Sequence, residues 1–335
     1  MKKLLLVYVG LIAIFSVYIY FGYLRGAERS SVDEGGLRGQ SEEKYVMVSF
    51  LSGMDYWKNC LKGFEDAAEA LGVSVEYRGA TQFDINEQVT VLEQVIAKKP
   101  AGIALSAINS EAIVRAIDKA VDAGIPVVLF DSGVEGSKAS SFLGTNNYNA
   151  GAAAAEKMAE LIGGAGEVGI VSQPNQLNHA ERVRGFREAI RGRHPDIRIV
   201  AVADGKGDQL VAGQKARELM DGYPDLKGIF VTEANGGVGV GNAVSDYGKE
   251  GDIRIISFDT DVITLDMVRG GRISASIAQG TWNMGYWSLL HLFHLRNGLY
   301  EQSDGERTEL PPLPPHVDTG TTIVTPDNVD RFYAR

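Results

Sequence analysis

The sequence predicts an α/β protein made of two similar domains, each a largely parallel sheet covered by helices. Short apolar strands alternate with segments of helical periodicity along nearly the whole chain from Tyr45. The length, 335 residues, exceeds what one small core organises. Two apolar runs, IPVVLFDSG and IRIISFDTD, each end on an acid, Asp131 and Asp259, at corresponding places in the two halves.

The elements follow in order. YVMVSFL reads as a strand, and Trp57, Leu61, Phe64, Ala68 and Leu71 then recur at helical spacing. VSVEYR is a strand, Val89, Leu92 and Ile96 mark a helix, and GIALS is a strand. Ile113, Ile117 and Val121 mark the next helix, with Asn109 or Ser110 as its cap, before PVVLF. The second half repeats the alternation. SSFLG, a helix from Asn149 to Ile162, EVGIVS, a helix from Arg182 to Ile190, IRIVAV, a helix from Ala212 to Met220, GIFVT, a helix from Val238 to Tyr247 and RIISF succeed one another. Strands alternating with helices of this length imply parallel sheets buried on both faces.

Ahead of this body, Lys2 and Lys3 precede 21 uncharged residues, Leu4 to Leu24. As a helix these span about 30 Å, the thickness of a hydrocarbon core. Residues 1–24 are therefore expected to be an uncleaved membrane anchor, with a cleaved signal as the alternative, and residues 25–43 a tether. The lysines ahead of the span predict a cytoplasmic N-terminus and an external body.

Composition narrows the chemistry. A net charge of -10 disfavours nucleic acid, which needs a concentrated basic surface. Cys60 is the one cysteine, so no internal disulfide or thiolate cluster forms, and its apolar setting marks it as a packed residue. His179 and His194 have no metal-ligand spacing, and His291 and His294 fall in HLFH on a helix, so no metal is expected. GGVGVG lacks the GxGxxG spacing and no Walker A sequence is present, so no nucleotide cofactor is expected either.

Ligands of open α/β sheets bind beyond the carboxyl ends of the strands. Asp131 and Asp259, each closing a strand, would meet at a cleft between two such sheets. The alternative for each is a helix cap, with Ser132 and Thr260 following.

The ordered set VSFLSGMDYWKNCLKGFEDAAEALG, GIPVVLFDSG, FLGTNNYNAG, AERVRGFREAI, IRIISFDTD and ISASIAQGTWNMG resembles the type I periplasmic sugar-binding proteins, above all the ribose-binding group, which is related to the ligand-binding body of lactose-type repressors. The resemblance covers nearly all of residues 45–335. It implies two Rossmann-like lobes joined by a three-crossing hinge, one of residues 45–145 plus 281–317 and the other of 146–279 plus 320–335. The matching positions imply ligand contacts from Tyr56, Trp57, Ser106, Asp131, Arg182, Glu233, Asp259 and Gln279. Packing is the alternative for the two aromatics. Asn146 and Asn147 lie at the first crossing, where hinge support competes with sugar contact.

Departures from the ribose-type pattern at Gly53, Ser106, Ser132 and Glu233 leave the identity of the sugar open. The resemblance implies reversible binding of a monosaccharide or related polyol outside the cell for an ABC permease, by a monomeric ligand-binding body. A sensor presenting its ligand state to a histidine kinase or chemoreceptor is the alternative. Paired acids for glycoside hydrolysis are the third reading, and no catalytic arrangement in the sequence supports it, so the chain is expected not to be an enzyme.

Overall fold

A computed structural model of the chain describes residue 15 and residues 37–82, 84–108, 110–299 and 313–333. Residues 41–335 form one compact unit, and residues 1–40 form another of which only residues 15 and 37–40 are described. The expected anchor apart from residue 15, most of the tether, Asn109 and residues 309–312 of the ELPPLPPHVD loop fall outside this description. Among the described residues no helix is long and apolar enough to cross a membrane.

The body holds two six-stranded sheets with the same winding. The first contains β1 (Lys44–Ser49), β2 (Ser74–Gly79), β3 (Gly102–Leu105), β4 (Val127–Phe130), β5 (Phe142–Gly144) and β11 (His316–Asp318), in the order β2-β1-β3-β4-β5-β11. The second contains β6 (Gly166–Ser172), β7 (Ile197–Asp204), β8 (Leu226–Val231), β9 (Arg254–Phe258), β10 (Ala275–Gln279) and β12 (Thr321–Val324), in the order β7-β6-β8-β9-β10-β12. Every pairing is parallel except β10 with β12.

The inner strands are buried on both faces, which is why β1, β3, β4, β8 and β9 read as largely apolar runs. In β1, Tyr45 and Met47 join a core with Phe64, Phe130, Leu289 and Phe293, while Val46 and Val48 join the opposite core with Leu92, Ile103, Ile117 and Val127. The period-2 alternation of side chains produces this division. The second sheet lies likewise between a core containing Ile229, Val240, Ile255 and Val268 and one containing Met158, Phe186, Phe230 and Ile277.

The helices are α1 (Trp57–Leu71), α2 (Ile85–Ala97), α3 (Ser110–Asp122), α4 (Asn147–Ile162), α5 (Leu177–Arg193), α6 (Gln209–Gly222), α7 (Ala234–Asp246), α8 (Val262–Arg269) and α9 (Thr281–Asn297). Two pairs cross through reciprocal glycines. A Cβ on Gly151 of α4 would run into the Arg182 carbonyl of α5, and one on Gly185 into the Tyr148 carbonyl. Gly63 of α1 meets the Trp282 carbonyl of α9, and Gly285 meets that of Cys60. Cys60 is fully buried here, as expected of a packed residue.

Element boundaries moved where caps decide them. The helix expected from Val238 begins at Ala234 because Glu233 caps it, accepting from the Gly236 amide at 2.8 Å. GGVGVG is the interior of this helix, where Gly237 packs on Ser257 and Gly239 on Gln209. The helix expected from Arg182 extends from Leu177 to Arg193. Leu61, expected inward, is half-buried, and Cys60 and Gly63 take the inward positions.

Three short segments pass from one sheet to the other. Residues 145–146 link β5 to α4, which packs on α5 and the second sheet; Gly280 links β10 to α9, which packs on α1 and the first sheet; Thr319 and Gly320 separate β11 from β12. These segments bond to one another. Thr145 Oγ1 donates to Gln279 Oε1 at 2.8 Å, the Asn146 and Gly320 amides donate to Asp318 Oδ1 at 3.2 and 2.9 Å, and the Thr319 amide donates to the Gly144 carbonyl at 3.0 Å.

Candidate functional site

The two aspartates occupy equivalent positions in the two sheets. Asp131 follows β4 with φ 58° and Asp259 follows β9 with φ 69°, both left-handed. Such backbones are costly for most L-residues, and Asp is among those that tolerate them best. Each amide still bonds to the next strand, Asp131 to the Leu143 carbonyl at 3.2 Å and Asp259 to that of Ile277 at 2.9 Å. Neither acid is a helix cap. The cap of α8 is Asp261, whose carboxylate accepts from the Thr264 amide at 3.0 Å.

Around Asp131 the first sheet assembles one cluster. Tyr56, just before α1, donates its phenol to Asp131 Oδ1 at 2.6 Å, and Ser106, at the end of β3, donates to Oδ2 at 3.1 Å. Burial pushes the Asp131 carboxyl upward, against the hydrogen bond from Tyr56, the Arg182 charge and the hydrogen bond from Ser106. Burial also raises the Tyr56 phenol well above its ordinary value, followed by the charges of Asp131 and Asp259, so the phenol keeps the proton it donates.

The second sheet assembles a chain of bonds around Arg182 on α5. Its Nε donates to Asn147 Oδ1 at 2.8 Å, Nη1 to the Thr232 carbonyl at 2.7 Å and Nη2 to Gln279 Oε1 at 2.8 Å; its guanidinium lies 3.9 Å from the Phe258 ring centre. Gln279 Nε2 passes the chain on to Asp259 Oδ1 at 2.6 Å. Burial works against the Arg182 charge, and Asp259, Tyr56, Asp131 and Glu233, in that order, work for it.

The two clusters act on each other. Burial lifts the Asp259 carboxyl to about 6, against Arg182 and the hydrogen bond from Gln279, and the charge of Asp131 adds to the rise. Glu233, at the end of β8, is pushed to about 7 by burial first, with Asp259 adding to the rise and the Gly236 amide and Arg182 opposing it. Asp259, Glu233, Tyr56 and Gln279 each keep part of their surface in solvent, whereas Ser106, Asp131 and Arg182 are buried. Acceptors and donors from the carboxyl ends of β3, β4, β8, β9 and β10 thus converge, where such sheets take ligands.

Trp57 stands apart from this polar set. It is 2% exposed, lies edge-on to Phe50, Tyr56 and Phe130, and donates its indole N–H to the Leu51 carbonyl at 2.6 Å. A surface groove beside Pro174, Val183, Arg187 and Val202, on the outer side of α5, carries none of the site groups.

Several supporting residues were not legible beforehand. Thr232 accepts from Arg182 and links Ser172 to His179, whose Nδ1 lies 3.0 Å from the Thr232 hydroxyl. Burial, with the Arg182 charge behind it, drives the His179 imidazole well below its ordinary value, so it stays neutral. Gln88 is fully buried, donating to the Ser106 carbonyl at 2.6 Å and accepting from the Ile108 amide at 3.0 Å. The signal for Gln88 was its place four residues before Leu92 on the apolar stripe of α2, where a surface residue would not fall.

Comparison with known proteins agrees with this architecture. Residues 45–298 match the family model described as periplasmic binding protein domain. The chain is 62% identical to a sugar-binding protein of a sugar ABC transporter from Bacillus halodurans, over 87% of this chain and 100% of that one, with a TM-score of 0.82. It is also 62% identical to AraP, an arabinose-binding protein from Geobacillus stearothermophilus, over 87% and 99% of the two chains, with a TM-score of 0.80. The D-allose-binding periplasmic protein of Escherichia coli (strain K12) is 27% identical over 72% of this chain and 81% of its own length. Twin sheets, paired strand-end acids and a family match over most of the body lead to one conclusion: the chain belongs to the periplasmic binding protein domain family, a family of binding proteins and not of enzymes.

Proposed function

We propose that this protein binds a monosaccharide reversibly outside the cytoplasm and delivers it to an ABC importer. The observation that carries the proposal is the nearness of two strand-end acids from the two sheets, Asp131, held by Tyr56 and Ser106, and Asp259, held through Gln279 by Arg182, which feel each other's charge. Carboxylates accept from sugar hydroxyls, and a guanidinium donates in a fixed plane. The 62% identity to an arabinose-binding protein makes arabinose the first sugar to try.

In this proposal the lobes are residues 45–145 plus 281–317 and residues 146–279 plus 320–335, and the three bonded crossings form the hinge between them. Sugar contacts come from Tyr56, Ser106, Asp131, Arg182, Glu233, Asp259 and Gln279, with Trp57 backing Tyr56 from the core. Ligand favours closure only through bonds it makes better in the closed state, and a sugar contacting both clusters meets that requirement. Residues 1–24 tether the body to the membrane.

The test is calorimetry on the purified full chain with arabinose, xylose, ribose, galactose and inositol, beside mass spectrometry of small molecules retained through native purification. One-to-one binding of a pentose or hexose is expected. No binding across the panel, with no sugar retained, refutes the proposal. A requirement for a sensor kinase instead of a permease in cells responding to the bound sugar refutes the importer part alone.

A further inference from the structure

Acids outnumber cations around the strand ends. Asp131, Glu233 and Asp259 share one nearby guanidinium, yet among the described residues no lysine or arginine nitrogen lies within ion-pair distance of any of the three. Arg182 is itself 2% exposed and directs three donors at Asn147, Thr232 and Gln279. The polar surface offered to a solute is therefore rich in acceptors and negative charge, and poor in free cations. Ionised carboxylates accept hydrogen bonds and donate none.

We propose that this site selects by charge, taking uncharged, hydroxyl-rich sugars and rejecting sugar acids and sugar phosphates, with Glu233 as a specificity-determining residue. The inference rests on the sugar-binding proposal above. Hydroxyl groups give each carboxylate a donor, whereas an anionic solute brings further acceptors and a like charge into a poorly hydrated space. Glu233 is singled out by what holds it. Asp131 and Asp259 are tied to side chains of the site, Tyr56 and Ser106 or Gln279, whereas Glu233 Oε1 accepts from the backbone amide of Gly236 and, like Asp259, keeps part of its surface open, so its charge can be removed without breaking the side-chain network around Arg182.

The test is calorimetry on the purified full chain at pH 8 with arabinose and with arabinonate, its aldonic acid. Wild type should bind arabinonate at least about 100-fold more weakly than arabinose. Glu233→Gln keeps an oxygen for the Gly236 amide and removes the charge, so it should narrow that ratio by about tenfold. Rejection by shape alone would leave the ratio unmoved, and an unmoved ratio overturns the role of Glu233. Arabinonate binding within about tenfold of arabinose overturns charge selection. Failure of arabinose and every other sugar to bind, by contrast, overturns the sugar proposal and this inference with it.

Discussion

Asp131 and Asp259 adopt the same left-handed backbone, φ 58° and 69°, and each sends its amide to the carbonyl of the following strand, Leu143 or Ile277. The other described non-glycine residues with such φ values, Lys99 and Lys206, sit in exposed positions. At the strand ends the unusual backbone is what lets a carboxylate leave the sheet while the ladder stays intact. Asn tolerates this conformation, and Ala there costs about 1–2 kcal/mol. Asp131→Asn and Asp259→Asn should therefore fold nearly as stably as wild type, and the Ala variants should unfold at lower urea.

All four variants should bind sugar more weakly. In Asp131→Asn the hydroxyls of Tyr56 and Ser106 still find partners, since a hydroxyl can accept from the amide N–H₂, but one oxygen that could accept from a sugar hydroxyl becomes a donor, an expected loss of about 1–3 kcal/mol in affinity. Calorimetry checks this, and wild-type affinity in Asp131→Asn would remove the residue from the site.

Glu233 and Asp259 should favour folding of the ligand-free protein as the pH falls. Glu233 rises from 4.5 to about 7 and Asp259 from 3.8 to about 6 in the fold. Between the unfolded and folded values the native state holds protons that the unfolded chain has released. This contribution to stability therefore grows as pH falls through about 7 and 6, and is complete near the unfolded values, 4.5 and 3.8. The direction is opposite to that of a carboxylate held in an ion pair. The buried, neutral His179 works in the opposite sense below 6.5, where only the unfolded chain takes up its proton. The acids are therefore read by comparison: going from pH 8 to pH 5.5 should change the melting temperature without sugar more favourably in wild type than in Glu233→Gln.

Gly151→Ala should disturb both stability and binding. Its new methyl meets the carbonyl of Arg182 itself, so α4 and α5 must separate and the guanidinium moves with its helix. Overpacking of this kind costs about 1–3 kcal/mol. Gly63→Ala makes the corresponding clash between α1 and α9, away from Arg182, and should lower the melting temperature with less effect on sugar affinity. Equal sugar affinity in Gly151→Ala and wild type would refute the link.

Thr319→Val should stabilise the fold. The Thr319 hydroxyl is buried at the third crossing and has no hydrogen-bond partner among the described residues. An unsatisfied buried hydroxyl costs about 1–3 kcal/mol, and valine has nearly the same shape. Urea denaturation should show a higher midpoint with an unchanged slope.

Much of this architecture is written in local patterns. The strand runs from YVMVSFL to RIISF appear as β1 to β9, most plainly at β1, β3, β4, β8 and β9, where burial on both faces favours unbroken apolar residues. The end-of-strand position of Asp131 and Asp259 was equally legible, since it needs only the place where such a run stops. What stayed hidden depends on distant partners or on backbone angles. Nothing local in HVD marks it as a strand, because β11 exists through its pairing with β5, more than 170 residues earlier. Thr232 reads as the end of GIFVT, and only the fold brings its carbonyl under Arg182. The left-handed φ of the two aspartates has no signature in residue type, and the short α8 was passed over because eight residues barely establish a period.

The last passage between the sheets has a mechanical consequence. His316–Asp318 ends in one sheet and Thr321–Val324 begins in the other, with only Thr319 and Gly320 between. The three Cα–Cα steps from Asp318 to Thr321 reach no farther than about 11 Å even when fully stretched. The two border strands consequently share a pivot: at that margin the halves can swivel but never drift apart, and an arriving solute has few wide-open arrangements to gather in.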